Sequence, residues 1–153
     1  MSQQLGKLMT IVVEALDARE THYSRIDDET LMIRLQGNRA TYDLLLVADD
    51  ELEQVGSLCI FGTRVPIDRR HAMAEMCTRA NYGMRIGNFE MDFADGELRF
   101  RAGVDVEGGL LGAEMVHNLI GLSLSMNDRH HDAFMRVMFG DSDPQDALAT
   151  IDA

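Results

Sequence analysis

Residues 84–106, MRIGNFEMDFADGELRFRAGVDV, decide the fold that the sequence predicts. Two runs of alternating apolar and charged residues flank the dipeptide Asp95-Gly96. Asp-Gly between alternating runs is a strong hairpin signal, because a two-residue turn needs positive φ angles and glycine adopts them without strain. The stretch therefore predicts two antiparallel strands joined by a tight turn.

A two-residue turn at Asp95-Gly96 fixes which residues of the two strands lie opposite each other. Apolar residues then meet on one face and opposite charges on the other, which is how cross-strand pairs stabilise a register. The predicted pairs are Phe93–Leu98, Met91–Phe100 and Phe89–Ala102 on the apolar face, and Asp92–Arg99 and Glu90–Arg101 on the charged face. A three-residue loop is disfavoured, because a one-residue slip moves the whole apolar set to the wrong face.

The alternation changes parity at Gly87-Asn88. Apolar residues are even-numbered up to Ile86 and odd-numbered from Phe89. A β-bulge of one extra residue would restore the pattern, and glycine inside a strand often marks one. The bulge would bring Arg85 opposite Asp105 as a third ion pair. One buried face and one charged face are typical of an antiparallel sheet.

The N-terminal half predicts a helix followed by a four-strand meander. Apolar residues recur at helical spacing over 3–19, a short strand is predicted at 22–27, and alternation continues on both sides of Gly37-Asn38. A two-residue loop there would pair Leu35 with Ala40, Ile33 with Tyr42, and Leu31 with Leu44. The apolar run 55–61 predicts a fourth strand, buried on both faces.

Helices frame the second hairpin. Pro66 suits the first turn of a helix whose apolar face carries Met73 and Met76. A long helical pattern runs over 111–139 with a break near Asn127-Asp128, and Asp143-Pro144 predicts the start of a short helix. Because strands are grouped between helices without βαβ alternation, the fold class is α+β: an antiparallel sheet, meander plus hairpin, packed with helices in a single domain over 1–153.

Charge and composition bound the function. The net charge is −12 and the pI is about 4.6, which disfavours direct binding to nucleic acid or to an anionic membrane. The start of the chain lacks the features of a secretory signal, and no apolar run is long enough to span a bilayer. Two cysteines, with no CxxC pair, indicate a reduced cytoplasmic protein.

No catalytic, cofactor or metal site is predicted. Glu114 and His117 have the spacing of di-metal helix bundles, but that motif occurs once and such sites need it twice. Glu90 and Asp92 share a strand face and could form an acid/base pair, yet the predicted register places an arginine opposite each, which favours structural ion pairs.

Methionine is abundant, with 11 in 153 residues. A methionine-rich surface suits permissive protein binding, although most of these side chains fall on apolar core stripes. Met32, Met84 and Met135 are the least clearly inward. We therefore take Met32 and Met84, together with the charged residues of the hairpin, as candidate contacts: Glu90, Asp92, Arg99 and Arg101.

Several motifs resemble one family. Asn81-Tyr82, then GNFEMDF at 87–93 and DGELRFR at 95–101, resemble the signature of the YbjN-like family: a helix-ending Asn, a G-x-F-E-x-D-F strand, a D-G-E turn and a basic-aromatic strand. DVEGG at 105–109, the tail 140–151 and Val65-Pro66 extend the match. The resemblance implies a fold like that of type III secretion chaperones, which are small, acidic, commonly dimeric and bind proteins without catalysis. The family is described as sensory-transduction regulators.

Two hypotheses follow. The first is a cytoplasmic, non-enzymatic, homodimeric adaptor or chaperone-like regulator that binds a partner protein by strand addition or groove docking. The second is a small-molecule-sensing or enzymatic domain with a site at the open end of the hairpin, near Asn81, Asn88 and Asp105. A deep polar pocket at that end would favour the second.

Overall fold

A block of strands lies between helices along the chain. The computed structural model describes residues 4–151, and within them four α-helices and six β-strands form. The helices are α1 (Lys7–Ala18), α2 (Arg70–Asn81), α3 (Ala113–Phe139) and α4 (Pro144–Ala149), with a 3₁₀ turn at Ile67–Arg69. The strands are β1 (Ser24–Arg25), β2 (Thr30–Gln36), β3 (Thr41–Asp49), β4 (Gln54–Ile60), β5 (Asn88–Met91) and β6 (Leu98–Asp105).

The strands form one antiparallel sheet in the order β1-β2-β3-β4-β6-β5. The first four strands are the predicted meander, and the β5–β6 hairpin joins it through β6. The α+β fold with its meander and hairpin is therefore confirmed. Residue 3, at the start of the predicted first helix, lies outside the described residues, and α1 begins at Lys7.

One side of the sheet, the inner face, packs against α1 and α3 and holds the core. Its largest members are fully buried, and Phe89 meets the rings of Phe100 and Phe134 edge-on at centroid distances of 5.0 and 4.8 Å. Each such ring stabilises the fold by roughly 1.5–3 kcal/mol through burial. The alternation in the hairpin sequence therefore predicted the buried face correctly.

The predicted register of the β5–β6 hairpin is wrong by two residues. Met91, not Phe93, lies opposite Leu98, and the loop comprises the four residues 93–96. A shift of two preserves parity, because side chains alternate with period two, so the residues that remain in the two strands keep their predicted faces. Phe93 was predicted on the buried face, but it lies in the loop and is exposed. The alternation of the strands predicts which face a side chain occupies, but it cannot distinguish two registers that differ by two residues.

Tertiary contacts explain the longer loop. The backbone N–H of Val65 donates to the Gly96 carbonyl at 2.8 Å, and the Arg70 guanidinium donates to the Phe93 carbonyl at 2.8 Å. Gly96 is buried with φ +77°, and a Cβ there would overlap the Val65 carbonyl. The loop is thus shaped by the segment that leads into α2.

The first hairpin shows the same error for the same reason. Ile33 pairs with Leu44 rather than Tyr42, and the loop is residues 37–40. The Asp128 carboxylate on α3 accepts hydrogen bonds from the backbone N–H groups of Asn38 at 2.9 Å and Arg39 at 2.8 Å. A carboxylate that is distant in sequence therefore stabilises the four-residue loop.

The predicted bulge at Gly87-Asn88 is also wrong. Strand β5 begins at Asn88, Gly87 has φ +77°, and the Ile86 side chain is exposed. A Cβ on Gly87 would lie 2.7 Å from the Arg101 carbonyl oxygen, so glycine is needed for close approach to β6. The change of parity in the sequence therefore marks the point where strand β5 begins.

Helix α3 is continuous where the sequence predicts a break. Asn127 is fully buried and donates to the Cys59 carbonyl at 3.0 Å, while Asp128 binds the first hairpin loop. Two polar residues in a helical run look like an interruption until their partners on the sheet are known. The prediction that strand β4 is buried on both faces is also wrong. Its inner face is buried, and its outer face is half-buried.

Candidate functional site

The opposite side of the sheet, the outer face, carries an apolar centre between charged flanks. Its apolar side chains are half-buried, and they lie apart from the core that the helices cover. They are Met32, Leu45, Val47, Leu58 and Ile60. Among residues 4–151, α1 and α3 pack on the inner face, so this apolar centre is open to a partner. Exposed apolar patches with polar rims are typical of protein-interaction sites.

Four of the six candidate contact residues lie on this face. Met32 points outward from β2, and Glu90, Arg99 and Arg101 point outward from β5 and β6. The alternation of the strands predicted that they share a face. Met32 and Arg101 belong to one row across the sheet, through Leu45 and Leu58.

The charged flank on β5 and β6 is a cluster around Glu90. Its carboxylate accepts hydrogen bonds from Arg99 Nε at 2.5 Å and from Arg101 Nε at 3.1 Å. Partial burial by itself would raise the pKa of Glu90, but the hydrogen bonds from Arg101 and Arg99 outweigh it and lower that pKa. Glu90 is therefore a fixed anion between two cations, which is a structural role and not that of a proton carrier.

The opposite flank was missed from the sequence. Arg34 on β2 binds Asp43 on β3 through two hydrogen bonds of 2.9 and 3.3 Å, and the Arg34 side chain is 69% exposed. The alternation of β2 and β3 indicated that both residues face outward. Their pairing depends on the register, which the short-loop prediction shifted by two.

Asp92 and Met84 lie elsewhere. Asp92 directly precedes the four-residue β5–β6 loop, and its carboxylate accepts a hydrogen bond from the backbone N–H of Ala94 at 2.7 Å, so the predicted Asp92–Arg99 pair does not form. Met84 packs partly against the core between α2 and β5, in a groove of about 280 Å³ that the exposed Tyr82 also lines.

The open end of the hairpin does not gather the three polar residues suggested as a ligand site. Asn88 and Asp105 border an open groove of about 410 Å³, but Asn81 is absent from its lining. The Asn81 amide instead hydrogen-bonds the backbone of Phe89. Asp105 caps the backbone N–H of Glu107 at 2.9 Å. These contacts give Asn81 and Asp105 structural tasks.

The geometry gives little support to a cysteine nucleophile or to a metal site. Burial raises the pKa of the Cys59 and Cys77 thiols to about 12, which makes both poor nucleophiles at neutral pH. Across residues 4–151, no group of three or more His, Cys, Asp or Glu side chains is arranged to hold a metal ion. The same residues contain no helix with the length and apolar character needed to cross a membrane.

A concavity of about 800 Å³ lies between the first hairpin loop, α3 and the end of α4. Its lining is mostly polar and includes Arg39, Asp128 and Asp132. Arg39 and Asp132 form an ion pair at 3.1 Å, and Asp128 binds the loop backbone. Each of these three charged side chains thus has a partner within the protein.

The matching family is YbjN, described as "Putative bacterial sensory transduction regulator", over residues 9–136. The chain belongs to the YbjN family. A similar solved structure is that of YbjN from E. coli, described as "a putative transcription regulator", with a TM-score of 0.61 and 14% identity over 88% of this chain and 96% of that one. At that identity the likeness shows the fold alone. No curated protein matches the sequence.

The motifs that identify the family have structural tasks in this protein. Asn81 bonds the edge of β5, Gly87 permits close approach to β6, and Gly96 fits against the backbone of Val65. Phe89 lies at the centre of the aromatic core. Among the quoted motif residues, Glu90, Arg99 and Arg101 turn toward the outer face, where a partner could contact them.

Proposed function

We propose that this protein is a non-enzymatic regulator that acts through protein contacts: it forms a homodimer, binds a partner protein, and works in the cytoplasm as one domain over residues 1–153. The description of the YbjN family as regulators supports this role. The net charge of −12 supports a protein partner rather than nucleic acid.

The observation that carries the proposal is the outer face. Five half-buried apolar side chains lie on the sheet between two sets of ion pairs. An apolar centre with a polar rim is the usual anatomy of a protein interface. The sheet holds these side chains in place before binding, so little conformational entropy is lost when a partner docks.

The edges of the sheet favour docking on the face over strand addition. At β5 the Asn81 amide occupies the outward N–H and C=O groups of Phe89. At the other edge, β1 has only two residues. Natural proteins use short and blocked edges to prevent strand pairing with other chains.

Affinity capture with matched variants tests the proposal. Wild-type protein, Leu58→Glu on the outer face and Leu52→Glu in the β3–β4 loop would be immobilised and exposed to a lysate of the cells that encode the chain. Leu52 is a suitable control because it is an apolar side chain, 61% exposed, in the loop outside the strands that form the outer face. Circular dichroism would show that the variants fold.

We expect that the wild type and Leu52→Glu retain the same lysate proteins and that Leu58→Glu does not retain them. Quantitative mass spectrometry measures this retention. A charge in the apolar centre must be desolvated on binding, which disfavours the complex. Equal retention by all three proteins, or no reproducible retention by the wild type, would overturn the proposal.

A further inference from the structure

One row of residues crosses the outer face with a distinctive order of charges. The row runs through five adjacent strands and contains Arg34, Asp43, Ile60, Arg99 and Glu90. Its signs are positive, negative, neutral, positive, negative. Read from the other end, the row has the same order with every sign inverted. Such a row is complementary to its own reversed copy.

We infer that the outer face binds the outer face of a second copy of this chain, about a two-fold axis that runs nearly parallel to β4. The inference rests on the proposed function, from which it takes the homodimer. It names the second copy as an occupant of the outer face, so a partner protein binds there only in exchange for that copy. Sheets that pack face to face keep their strands within about 30° of each other. This axis satisfies that condition, and it places β3 over β6 and β2 over β5 of the second copy.

The charges of the row then meet their opposites. Arg34 faces Glu90 of the second copy, and Asp43 faces Arg99. Each flank already holds an internal ion pair, so dimerisation places opposite charges of the second copy next to charges that are already paired. Two-fold symmetry repeats the contact on the other side of the axis, as an isologous interface requires.

The apolar centre fits the same axis. Ile60 and Leu58, which lie on β4, meet their own copies. Val47 lies over Gly103, which has no side chain, and the two Gly56 residues meet at the axis. A large side chain opposite glycine lets facing sheets interdigitate. Leu45 lies over the aliphatic stem of Arg101, an arrangement that suits a long basic side chain.

The alternative two-fold axis lies in the same plane but perpendicular to the strands. With Leu58 at the centre, it places Arg34 over Thr30 and Asp43 over Val47 of the second copy. Asp43 would then be covered by an apolar side chain without gaining a cation, which is unfavourable for a charge. The order of charges in the row from Arg34 to Glu90 therefore favours the axis parallel to β4, although that axis also places Asp49 over Asp105 of the second copy at the far end of the strands.

A charge swap tests this arrangement without removing the internal ion pair. The double variant Arg34→Glu/Asp43→Arg keeps one acid and one base side by side on β2 and β3, but it places like charges opposite Glu90 and Arg99 of the second copy. The matched control is Glu75→Arg/Arg79→Glu, which inverts an exposed i,i+4 pair on α2 whose atoms lie 2.7 Å apart. Sedimentation and light scattering would measure the mass of each protein over a range of concentrations.

We expect a mass of twice 17.1 kDa for the wild type and for the control swap. For Arg34→Glu/Asp43→Arg we expect the dimer dissociation constant to rise by about tenfold or more, because like charges across an interface are strongly unfavourable. A second swap, Glu90→Arg/Arg99→Glu, should also weaken its own homodimer. Mixing the two swapped proteins should restore a heterodimer, since the four facing pairs of this row are then opposite in sign.

A monomeric wild type would overturn the inference, as would a dimer that the Arg34→Glu/Asp43→Arg swap leaves unchanged. These results are distinguishable from failure of the proposed function. A monomer that still captures a partner through Leu58 keeps the binding role and shows that a different protein occupies the outer face. If the second swap does not fold by circular dichroism, the first swap and its control still decide the question.

Discussion

The side chain of Asn81 takes the place of a neighbouring strand for Phe89. The Phe89 N–H donates to Asn81 Oδ1 at 2.7 Å, and Asn81 Nδ2 donates to the Phe89 carbonyl at 2.9 Å. Asn81 is the last residue of α2, and Phe89 lies in the edge strand β5. One side-chain amide thus joins a helix end to the sheet and closes the sheet edge at that residue.

Replacing Asn81 with alanine should lower the free energy of unfolding by about 1–3 kcal/mol, because a backbone donor and acceptor at a partly buried site lose their partners. Urea unfolding followed by circular dichroism measures this change. The unpaired edge should also raise the tendency to aggregate, which light scattering at high concentration would detect.

Two variants separate this role from a general helix effect. Asn81→Asp keeps an acceptor for the Phe89 N–H but loses the donor to its carbonyl, so its stability should lie between that of the wild type and Asn81→Ala. Asn118→Ala changes an exposed asparagine within α3 and should not be destabilising. An Asn81→Ala protein as stable as the wild type would contradict the role assigned to this amide.

Gly96 and Gly108 provide a matched pair for the β5–β6 loop. Both have positive φ angles, +77° and +72°, but a Cβ on Gly96 would meet the Val65 backbone whereas a Cβ on Gly108 would have nothing within 4 Å. Gly108→Ala should therefore cost only the backbone strain of about 1–2 kcal/mol.

Gly96→Ala should lower the free energy of unfolding by about 1–3 kcal/mol more than Gly108→Ala, because the loop must move and its contact with Val65 is lost. Thermal and urea unfolding of the two variants give the comparison. Equal losses would show that strain alone governs both positions, and that the close approach to Val65 has little energetic importance.

The strands themselves predict which face each residue occupies, but not which residue it pairs with. Alternation placed Phe89, Phe100 and Leu44 inside and Glu90 and Arg99 outside, as the structure has them. Both hairpin registers differ from the prediction by two residues, a shift that leaves the alternation unchanged.

The missing information lay in residues distant along the chain. Asp128 shapes the first loop from α3, and Val65 and Arg70 shape the second from the start of α2. Asn127 looked like a helix break because its partner, the Cys59 carbonyl, is 68 residues away in sequence. For the candidate surface, Met32 and the arginines of β6 were found from pattern and motif. The Arg34–Asp43 pair required the correct register.

Glu90 should make stability depend on pH in the acid range. Its pKa in the folded protein is lowered from 4.5, so the folded state favours the carboxylate. The stabilisation is therefore fully present above the unfolded pKa, and it is lost as the pH falls through the lower, folded value. Replacing Glu90 with glutamine should cost about 0.5–1 kcal/mol at pH 7, a modest value because the ion pairs are about one-third exposed.

The same substitution should have progressively less effect below pH 4.5, since the wild-type carboxyl group is then being protonated. Urea unfolding at several pH values between 3 and 7, with the exposed Glu51→Gln as control, would measure the difference. A difference that stays constant down to pH 3 would mean that the charge of Glu90 does not stabilise the fold.

Ser57 and Ser123 form a buried hydrogen bond between β4 and α3. Their hydroxyl oxygens lie 3.0 Å apart, and both residues are fully buried. Replacing either one with alanine leaves the other hydroxyl without this partner, at a cost of about 1–2 kcal/mol. Replacing both removes the unsatisfied group, so the double variant should cost less than the sum of the two single changes.

A double-mutant cycle of Ser57→Ala and Ser123→Ala measures this coupling by urea unfolding. We expect a coupling free energy of about 0.5–1.5 kcal/mol. The Ser57→Ala and Ser125→Ala pair is the control, since Ser125 is exposed on the same helix and should show additive effects. Additivity for Ser57 and Ser123 would show that each hydroxyl finds another partner when the other is removed, as a helical serine can do with the carbonyl four residues before it.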